Sequence, residues 1–116
     1  IILIDRFTDS TIAYQHYGMG VDLNLIETLN KYLLKNIRVS FTFLNIVNQK
    51  NLQKRLKQRK SLNRYDKFKM SFYNKVQKGF LNLSKKQKNK YQLVNSNLDI
   101  NNNEKLILDK IDRLIK

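Results

Sequence analysis

The sequence predicts an α/β fold in which a parallel sheet is flanked by helices. Short runs of β-branched, aliphatic and aromatic residues alternate with longer segments whose apolar residues recur every three or four positions. Strands that alternate with helices pair in parallel through right-handed crossovers, and such sheets bind ligands at the carboxyl ends of their strands. The length of 116 residues predicts one domain that spans residues 1–116.

Three segments are predicted to form strands. Residues 1–4 are a continuous apolar run that stops at Asp5, the pattern of a strand buried on both faces of a parallel sheet. Residues 39–47 are rich in β-branched and aromatic side chains and predict a second interior strand, and residues 91–94 predict a short third one. Three strands would form an incomplete layer of such a fold.

Five helices are predicted between and after these strands. Thr8, Asp9 and Ser10 can cap a short helix that ends at Gly18 and Gly20. Longer helices are predicted over residues 21–34, 48–59, 66–84 and 104–116, the last capped by residues 101–103. The side chains expected to be buried along the second, fourth and fifth helices are Leu23, Ile26, Leu29, Leu33, Leu34, Phe68, Phe72, Val76, Phe80, Leu83, Leu108, Ile111, Leu114 and Ile115.

The net charge of +14 is confined to one segment. Residues 50–90 hold fifteen basic side chains and one acidic one, Asp66, whereas the segments on either side are neutral. A localised block of this kind is typical of a surface that meets phosphates. Some of these lysines fit mutational drift instead, because the chain is rich in Lys, Asn and Ile, as are the products of A/T-rich genomes.

Several classes of protein are excluded by composition. There is no cysteine for a disulfide or a thiolate metal site, and the single His16 cannot form a zinc cluster. His16 also has no partner at the spacing of a catalytic base, so we expect a surface residue. No apolar run reaches the roughly 20 residues of a membrane span, and no signal peptide is evident. The start at Ile1, inside an apolar run, suggests a truncated chain.

Residues 5–15 read Asp-Arg-Phe-Thr-Asp-Ser-Thr-Ile-Ala-Tyr-Gln directly after the first apolar run. This stretch resembles the D-R-[YFH]-x-x-S-x-x-A-Y-Q segment of bacterial thymidylate kinases. Residues 22–30 resemble the D-L-x-x-I-x-x-L-N helix of that family. Residues 63–81 are similar to its D-R-[IFL]-E followed by F-x-x-x-V-x-x-G-Y-L. The resemblance therefore covers nearly the whole chain and implies a partial P-loop nucleoside monophosphate kinase fold.

The resemblance implies an enzyme that transfers a phosphoryl group from ATP to dTMP with the help of Mg²⁺. It assigns Asp5 to the metal and phosphate geometry, and Arg6 to phosphate contacts. It also assigns to dTMP binding, besides Arg6, the residues Ser10, Thr11, Tyr14 and Gln15. This reading agrees with the chemistry of phosphoryl transfer, which requires cations on the transferring oxygens and a carboxylate near the metal.

The same resemblance identifies residues 54–69 as a mobile basic lid that closes over ATP. Arg55, Arg59 and Arg64 would neutralise the charge that develops on the transferred phosphate. A solvated basic helix is an equally good interpretation of each arginine taken alone, and Arg64 is the best supported because it lies in the second motif. The family further implies a homodimer to which the helix over residues 21–34 contributes.

The chain departs from the family pattern at several positions. Asn63, Asn45 and Asn95 stand where acidic residues are usual, and Arg38-Val39 replaces a Pro-Asp. No G-x-x-x-x-G-K-[ST] phosphate loop occurs in these 116 residues. We therefore interpret the chain as the C-terminal half of such a kinase and expect no kinase activity from it alone.

Two other interpretations remain open. The chain can be an inactive relict of a thymidylate kinase, or a basic nucleic-acid-binding protein that uses residues 50–90. The kinase interpretation expects dTMP and ATP as partners, with no membrane and no specific nucleic acid. The composition fits a cytoplasmic protein of a low-G/C bacterium or an organellar protein, a plastid included.

Overall fold

The fold is built on a two-stranded parallel sheet with helices packed beside it. The computed structural model describes residues 1–64 and 66–116 in full. Strand β1 (Thr42–Ile46) pairs with β2 (Tyr91–Asn95) in a register that places Thr42 opposite Tyr91 and Ile46 opposite Asn95. Leu44 and Val94 are the buried centre of this pair. The parallel pairing of two strands that are separated in sequence by two helices confirms the predicted sheet type.

Five helices and two short 3-10 turns complete the fold. Their bounds are α1 (Thr8–Thr11), a π-helical segment that continues it (Ile12–Gly18), α2 (Leu23–Leu33), α3 (Gln49–Gln58), a 3-10 turn (Tyr65–Lys67), α4 (Met70–Lys86), a 3-10 turn (Lys88–Lys90) and α5 (Ile100–Ile115). All predicted helices are therefore present, with shifted ends. The π-helical winding was not predicted, because the apolar spacing of residues 12–18 fits an ordinary helix equally well.

The prediction of a strand over residues 1–4 is wrong. These residues are extended chain without sheet hydrogen bonds, and Ile1 is 95% exposed and Leu3 82% exposed. A strand requires a neighbour to which it can bond, and in the part of the chain that the structure describes β1 and β2 bond to each other alone. An apolar run thus specifies what can be buried without specifying a partner.

The core lies where the π-helical segment crosses α4. Ala13, Phe72 and Val76 form the buried cluster, and Tyr73 and Phe80 pack around it. The two helices approach closely because glycines face aromatic rings at their crossing. A Cβ atom on Gly79 would lie 2.7 Å from the ring of Tyr17. The predicted apolar stripe is therefore confirmed at Phe72, Val76 and Phe80, whereas Phe68 precedes α4 and is 37% exposed.

Two of the predicted apolar stripes are not buried. On α2 Ile26 is buried, whereas Leu29 and Leu33 are exposed. On α5 no residue is buried, and Leu108, Leu114 and Ile115 are exposed, in contrast to the expectation. An amphipathic pattern defines an apolar face but not the surface that covers it.

The predicted caps of two helices are also wrong. Helix α1 begins after Phe7 without a side-chain cap, so Thr8, Asp9 and Ser10 lie within its first turn. Helix α5 is capped by Asp99, whose carboxylate accepts a hydrogen bond from the amide of Asn102. Asp99 precedes the predicted cap because the helix begins four residues earlier than its apolar periodicity indicates.

Among the residues that the structure describes, none of the helices is both long enough and apolar enough to cross a membrane.

Substitution of Gly79 by alanine tests the helix crossing. The new methyl group would meet the Cβ and Cγ atoms of Tyr17, which cannot rotate away, so the helices must separate. We expect Gly79→Ala to lower the free energy of unfolding by about 1–2 kcal/mol, although alanine favours helix formation. Urea denaturation gives the value. Asn74→Ala, at an exposed position of the same helix, should be neutral or stabilising, and equal values for the two variants would contradict the packing described.

Candidate functional site

The Asp5-Arg6 pair lies in a bend that precedes α1, and both side chains are exposed. Arg6 has a backbone φ of 63°, in the left-handed region that residues with a Cβ atom adopt at a cost of about 1 kcal/mol or more. This conformation turns the chain sharply between the apolar run and the helix. A strained residue of this kind is commonly found where a side chain must be aimed at a ligand.

The guanidinium of Arg6 lies over the ring of Tyr14, 5.3 Å from the ring centroid. Tyr14 is itself held by edge-to-face contacts with two rings of α4, at centroid distances of 5.9 Å from Phe72 and 6.3 Å from Phe80. The aromatic face attracts the cation and limits its orientation. The structure therefore brings together two of the predicted site residues, and it ties their positions to the core.

The remaining residues assigned to dTMP lie on the same helical segment. Ser10 and Gln15 are half-buried, and Thr11 is exposed. The chain reverses directly after this segment, because the carbonyl oxygen of Gln15 accepts a hydrogen bond from the Val21 amide at 2.8 Å. His16 holds the same reversal through its Nδ1, which lies 2.8 Å from the carbonyl oxygen of Val21. His16 thus has a structural contact, which agrees with its exclusion as a catalyst.

The predicted lid segment, residues 54–69, is organised around Asp66. Its carboxylate accepts hydrogen bonds from the guanidinium of Arg59 at 2.6 Å and from the amide of Asn63 at 3.0 Å. The amide of Asp66 in turn donates to the side-chain oxygen of Asn63 at 3.0 Å. The hydrogen bond from Asn63 and the charge of Arg59 hold the pKa of Asp66 below its usual value.

Arg6 lies close enough to the predicted lid segment for its charge to act on Asp66. The positive charge of Arg6 contributes to lowering the pKa of Asp66. Burial raises the pKa of Tyr73, and the charge of Asp66 acts in the same direction. The contact of Arg6 with Tyr14 and that of Arg59 with Asp66 therefore lie near each other, between the π-helical segment and the predicted lid segment.

Of the three predicted lid arginines, Arg59 bonds to Asp66, whereas Arg55 lies elsewhere. Arg55 donates to the carbonyl oxygen of Ser96, just after β2, and borders an open groove between α3 and α5 with Leu98 and Leu108. Arg64 is exposed in the loop before the 3-10 turn. The sequence alone could not separate these positions, because all the arginines share the same basic segment.

Two contacts in this region were not predicted. The reciprocal hydrogen bonds of Asn63 and Asp66 follow the spacing of a capping box, so the N-x-x-D pattern is a signal that could have identified them. Asp9 accepts a hydrogen bond from the hydroxyl of Tyr91, which is 82 positions away. No local pattern in the sequence indicates that contact.

The residues present fit a magnesium ion that is held mainly by phosphates. Asp5 is exposed and makes no hydrogen bond or ion pair with another described residue. The structure, within the residues it describes, has no group of three His, Asp or Glu side chains that could enclose a metal. Kinase sites commonly bind Mg²⁺ through one or two carboxylates and the substrate phosphates, and a single available carboxylate is consistent with this arrangement.

Comparison with known proteins agrees with the motifs. The family described as thymidylate kinase matches residues 1–107. The thymidylate kinase of Wolbachia pipientis subsp. Culex pipiens (strain wPip) is 35% identical over 103 residues, which are 89% of this chain and 48% of that protein. That of Sulfurihydrogenibium sp. (strain YO3AOP1) is 32% identical over 111 residues, 96% of this chain and 53% of that protein.

A solved structure is similar over nearly the whole chain. The thymidylate kinase of Ehrlichia chaffeensis superposes with a TM-score of 0.60 at 28% identity, covering 97% of this chain and 49% of that one. The predicted fold class, part of a P-loop nucleoside monophosphate kinase fold, is thereby confirmed. The chain spans about half the length of the relatives that it matches. Because the family match covers most of its residues, this chain belongs to the thymidylate kinase family.

Proposed function

We propose that this chain supplies the dTMP-binding side and the lid of an enzyme that transfers the γ-phosphoryl group of ATP to dTMP, giving dTDP and ADP. The position of Arg6 over the ring of Tyr14 is the observation that carries the proposal. It places the guanidinium of Arg6 beside the helical segment whose side chains the family motif assigns to dTMP. Membership of the family and its similarity to thymidylate kinases support the same reaction.

The acceptor side depends on fixed polar groups. A guanidinium offers paired N–H donors that match phosphate oxygens, and the ring of Tyr14 limits the planes that Arg6 can adopt. The hydroxyl of Ser10 and the amide of Gln15 are suited to the base and deoxyribose, which present both donors and acceptors. Thr11, exposed on the same turn, would contact dTMP from the solvent side.

The phosphoryl-transfer side combines Asp5 with the lid. Bound Mg²⁺ would offset charge on the transferred phosphate, and the exposed carboxylate of Asp5 is the group that would orient it. Arg59 and Arg64 would stabilise the negative charge of the transferring oxygens when the lid closes. Arg55, which borders the groove between α3 and α5, would contribute from the ATP side.

The basic segment supports this function better than it supports nucleic-acid binding. Its single acidic residue, Asp66, bonds to a lid arginine and lies within reach of Arg6, so part of the charge is organised around one site. A surface that follows a nucleic-acid backbone would leave its cations available over a longer stretch. We therefore propose dTMP and ATP as partners and no specific nucleic acid.

A homodimer and a cellular location belong to the same proposal. The outward face of α2 carries Leu25, Leu29, Tyr32 and Leu33, all more than half exposed, which supports its role in a contact between two copies. The Lys-rich and Asn-rich composition supports an origin in a low-G/C genome. We place the protein in the bacterial cytoplasm or in an organelle such as a plastid.

The reaction can be tested by joining this chain to the half of the wPip relative that it does not match. We expect the joined protein to release ADP from ATP only when dTMP is present. Arg6→Ala should lower kcat/KM for dTMP by about 100-fold, since removal of one preorganised charge donor commonly has an effect of this size. A coupled ADP-release assay provides the measurement.

Arg38→Ala is the matched control, because Arg38 is exposed in the segment before β1. It should leave kcat/KM unchanged. ADP release that ignores dTMP, or full activity of Arg6→Ala, would contradict the proposal. A folded but inactive protein would favour the relict interpretation. Salt-sensitive binding of DNA or RNA without any response to dTMP would favour the nucleic-acid interpretation.

The proposed homodimer predicts that Leu29 is buried between two copies. Leu29→Gln should weaken self-association at least about fivefold, because a buried leucine contributes more than 1 kcal/mol at an interface. Sedimentation equilibrium of the 116-residue chain measures the dissociation constant. Glu27→Gln, on the opposite side of the helix, should have little effect. A chain that stays monomeric at every accessible concentration would remove support for the dimer.

The lid contact predicts a defined dependence of stability on pH. A carboxyl whose pKa is lower in the folded state stabilises the fold fully above its unfolded pKa of about 3.9, and this stabilisation is lost as the pH falls through the folded value. Asp66→Asn should lower the free energy of unfolding by up to about 1 kcal/mol at pH 6, and by less at pH 3. Urea titrations at the two pH values measure the difference. Asp112→Asn, at an exposed position of α5, should have the same effect on the free energy of unfolding at both pH values. If Asp66→Asn lowers the free energy of unfolding by the same amount at pH 6 and pH 3, the ionisation of Asp66 does not contribute to stability.

A further inference from the structure

Tyr91 links the start of the sheet to α1. Tyr91 is the first residue of β2 and stands opposite Thr42, the first residue of β1. Its hydroxyl donates a hydrogen bond to the carboxylate of Asp9 in α1. The contact with Asp9 is part-buried and links positions 82 residues apart. The start of the sheet is thereby connected to the first turn of the substrate helix.

The hydroxyl of Tyr91 keeps its proton at physiological pH. Burial raises the pKa of Tyr91 well above its ordinary value, and the hydrogen bond to Asp9 and the charge of Asp9 raise it further. Tyr91 therefore stays protonated and remains a donor. A hydrogen bond to an ionised acceptor is stronger than one between neutral groups, and partial burial protects it from competition by water.

The first turn of the helix has few other attachments. Helix α1 begins without a side-chain cap, and none of its residues is buried. The aromatic contacts that hold the helix to α4 come from Tyr14 and Tyr17, which lie in the π-helical segment further along. The orientation of the first turn therefore depends strongly on the contact between Asp9 and Tyr91. Ser10 follows Asp9 directly and would move with it.

We propose that Tyr91 is a positioning residue for dTMP: through Asp9, it fixes the turn that carries Ser10 and sets the approach of Arg6 to Tyr14. This inference rests on the proposed function, since it gives Tyr91 a role in that same site. Tyr91 does not touch the substrate in this arrangement. Its effect is transmitted by the helix, so removal of the hydroxyl alone should alter ligand binding while the ring keeps its packing.

The test uses the intact 116-residue chain and two measurements. Isothermal titration with dTMP gives the dissociation constant at a temperature where every variant is fully folded. Amide hydrogen exchange of residues 8–18 reports the order of the helix without any ligand. Tyr91→Phe should weaken dTMP binding about three- to tenfold and increase exchange in residues 8–11, the size expected for one lost hydrogen bond. Asp9→Ala should have the same effect, and the double variant should be no worse than either single one.

Two further variants separate positioning from general stability. Asp9→Asn keeps an acceptor for the Tyr91 hydroxyl and should restore dTMP affinity to within about twofold of the unaltered chain. Asp112→Asn changes an exposed side chain of α5 and should change neither measurement.

The outcomes distinguish the inference from the function on which it rests. If the unaltered chain does not bind dTMP, the proposed function is contradicted, independently of the results for the Tyr91 variants. If the unaltered chain binds dTMP and Tyr91→Phe binds it equally well, the positioning role is overturned. Unchanged hydrogen exchange of residues 8–11 in Tyr91→Phe would overturn it as well, even if the melting temperature falls.

Discussion

The close crossing of the π-helical segment and α4 is the contact on which the candidate site depends. Gly18 and Gly79 allow it, since a Cβ atom on Gly18 would lie 2.6 Å from the ring of Phe72 and one on Gly79 would meet the ring of Tyr17. Because the backbones approach this closely, Tyr14 reaches the aromatic side chains of α4. The same packing leaves a face of Tyr14 to the guanidinium of Arg6.

The elements that the sequence predicts correctly are those whose signals are local. Helix α4 and strand β1 follow from apolar periodicity and β-branched composition within their own residues. The extended state of residues 1–4 could not be predicted in this way, because strand formation depends on a hydrogen-bonding neighbour elsewhere in the chain. The exposure of the apolar face of α5 has the same origin: periodicity identifies the face, while the fold decides what covers it.

The candidate site likewise contains residues that a local motif identifies and residues whose position depends on the packing of the fold. The Asp5-Arg6 pair and Tyr14 could be selected from a continuous motif, and the structure places Arg6 and Tyr14 in contact. Arg55 was selected from the same family pattern, yet it bonds to Ser96 at the end of β2, since its direction depends on how α3 packs. The strained backbone of Arg6 has no sequence signal, because glycine, the usual marker of that conformation, is absent there.

The distribution of charge gives Asp66 a particular importance. It is the single acidic residue among fifteen basic ones in residues 50–90. It bonds to Arg59, and the charge of Arg6 helps to lower its pKa. Without a carboxylate at this point, two guanidinium groups would repel each other across the gap between helix and lid. A phosphate that enters the gap carries more negative charge than Asp66 and more acceptor oxygens, so it would compete with Asp66 for Arg59. If the proposed function holds, Arg59 would bond to the carboxylate of Asp66 in the absence of a nucleotide and to a phosphate oxygen in its presence.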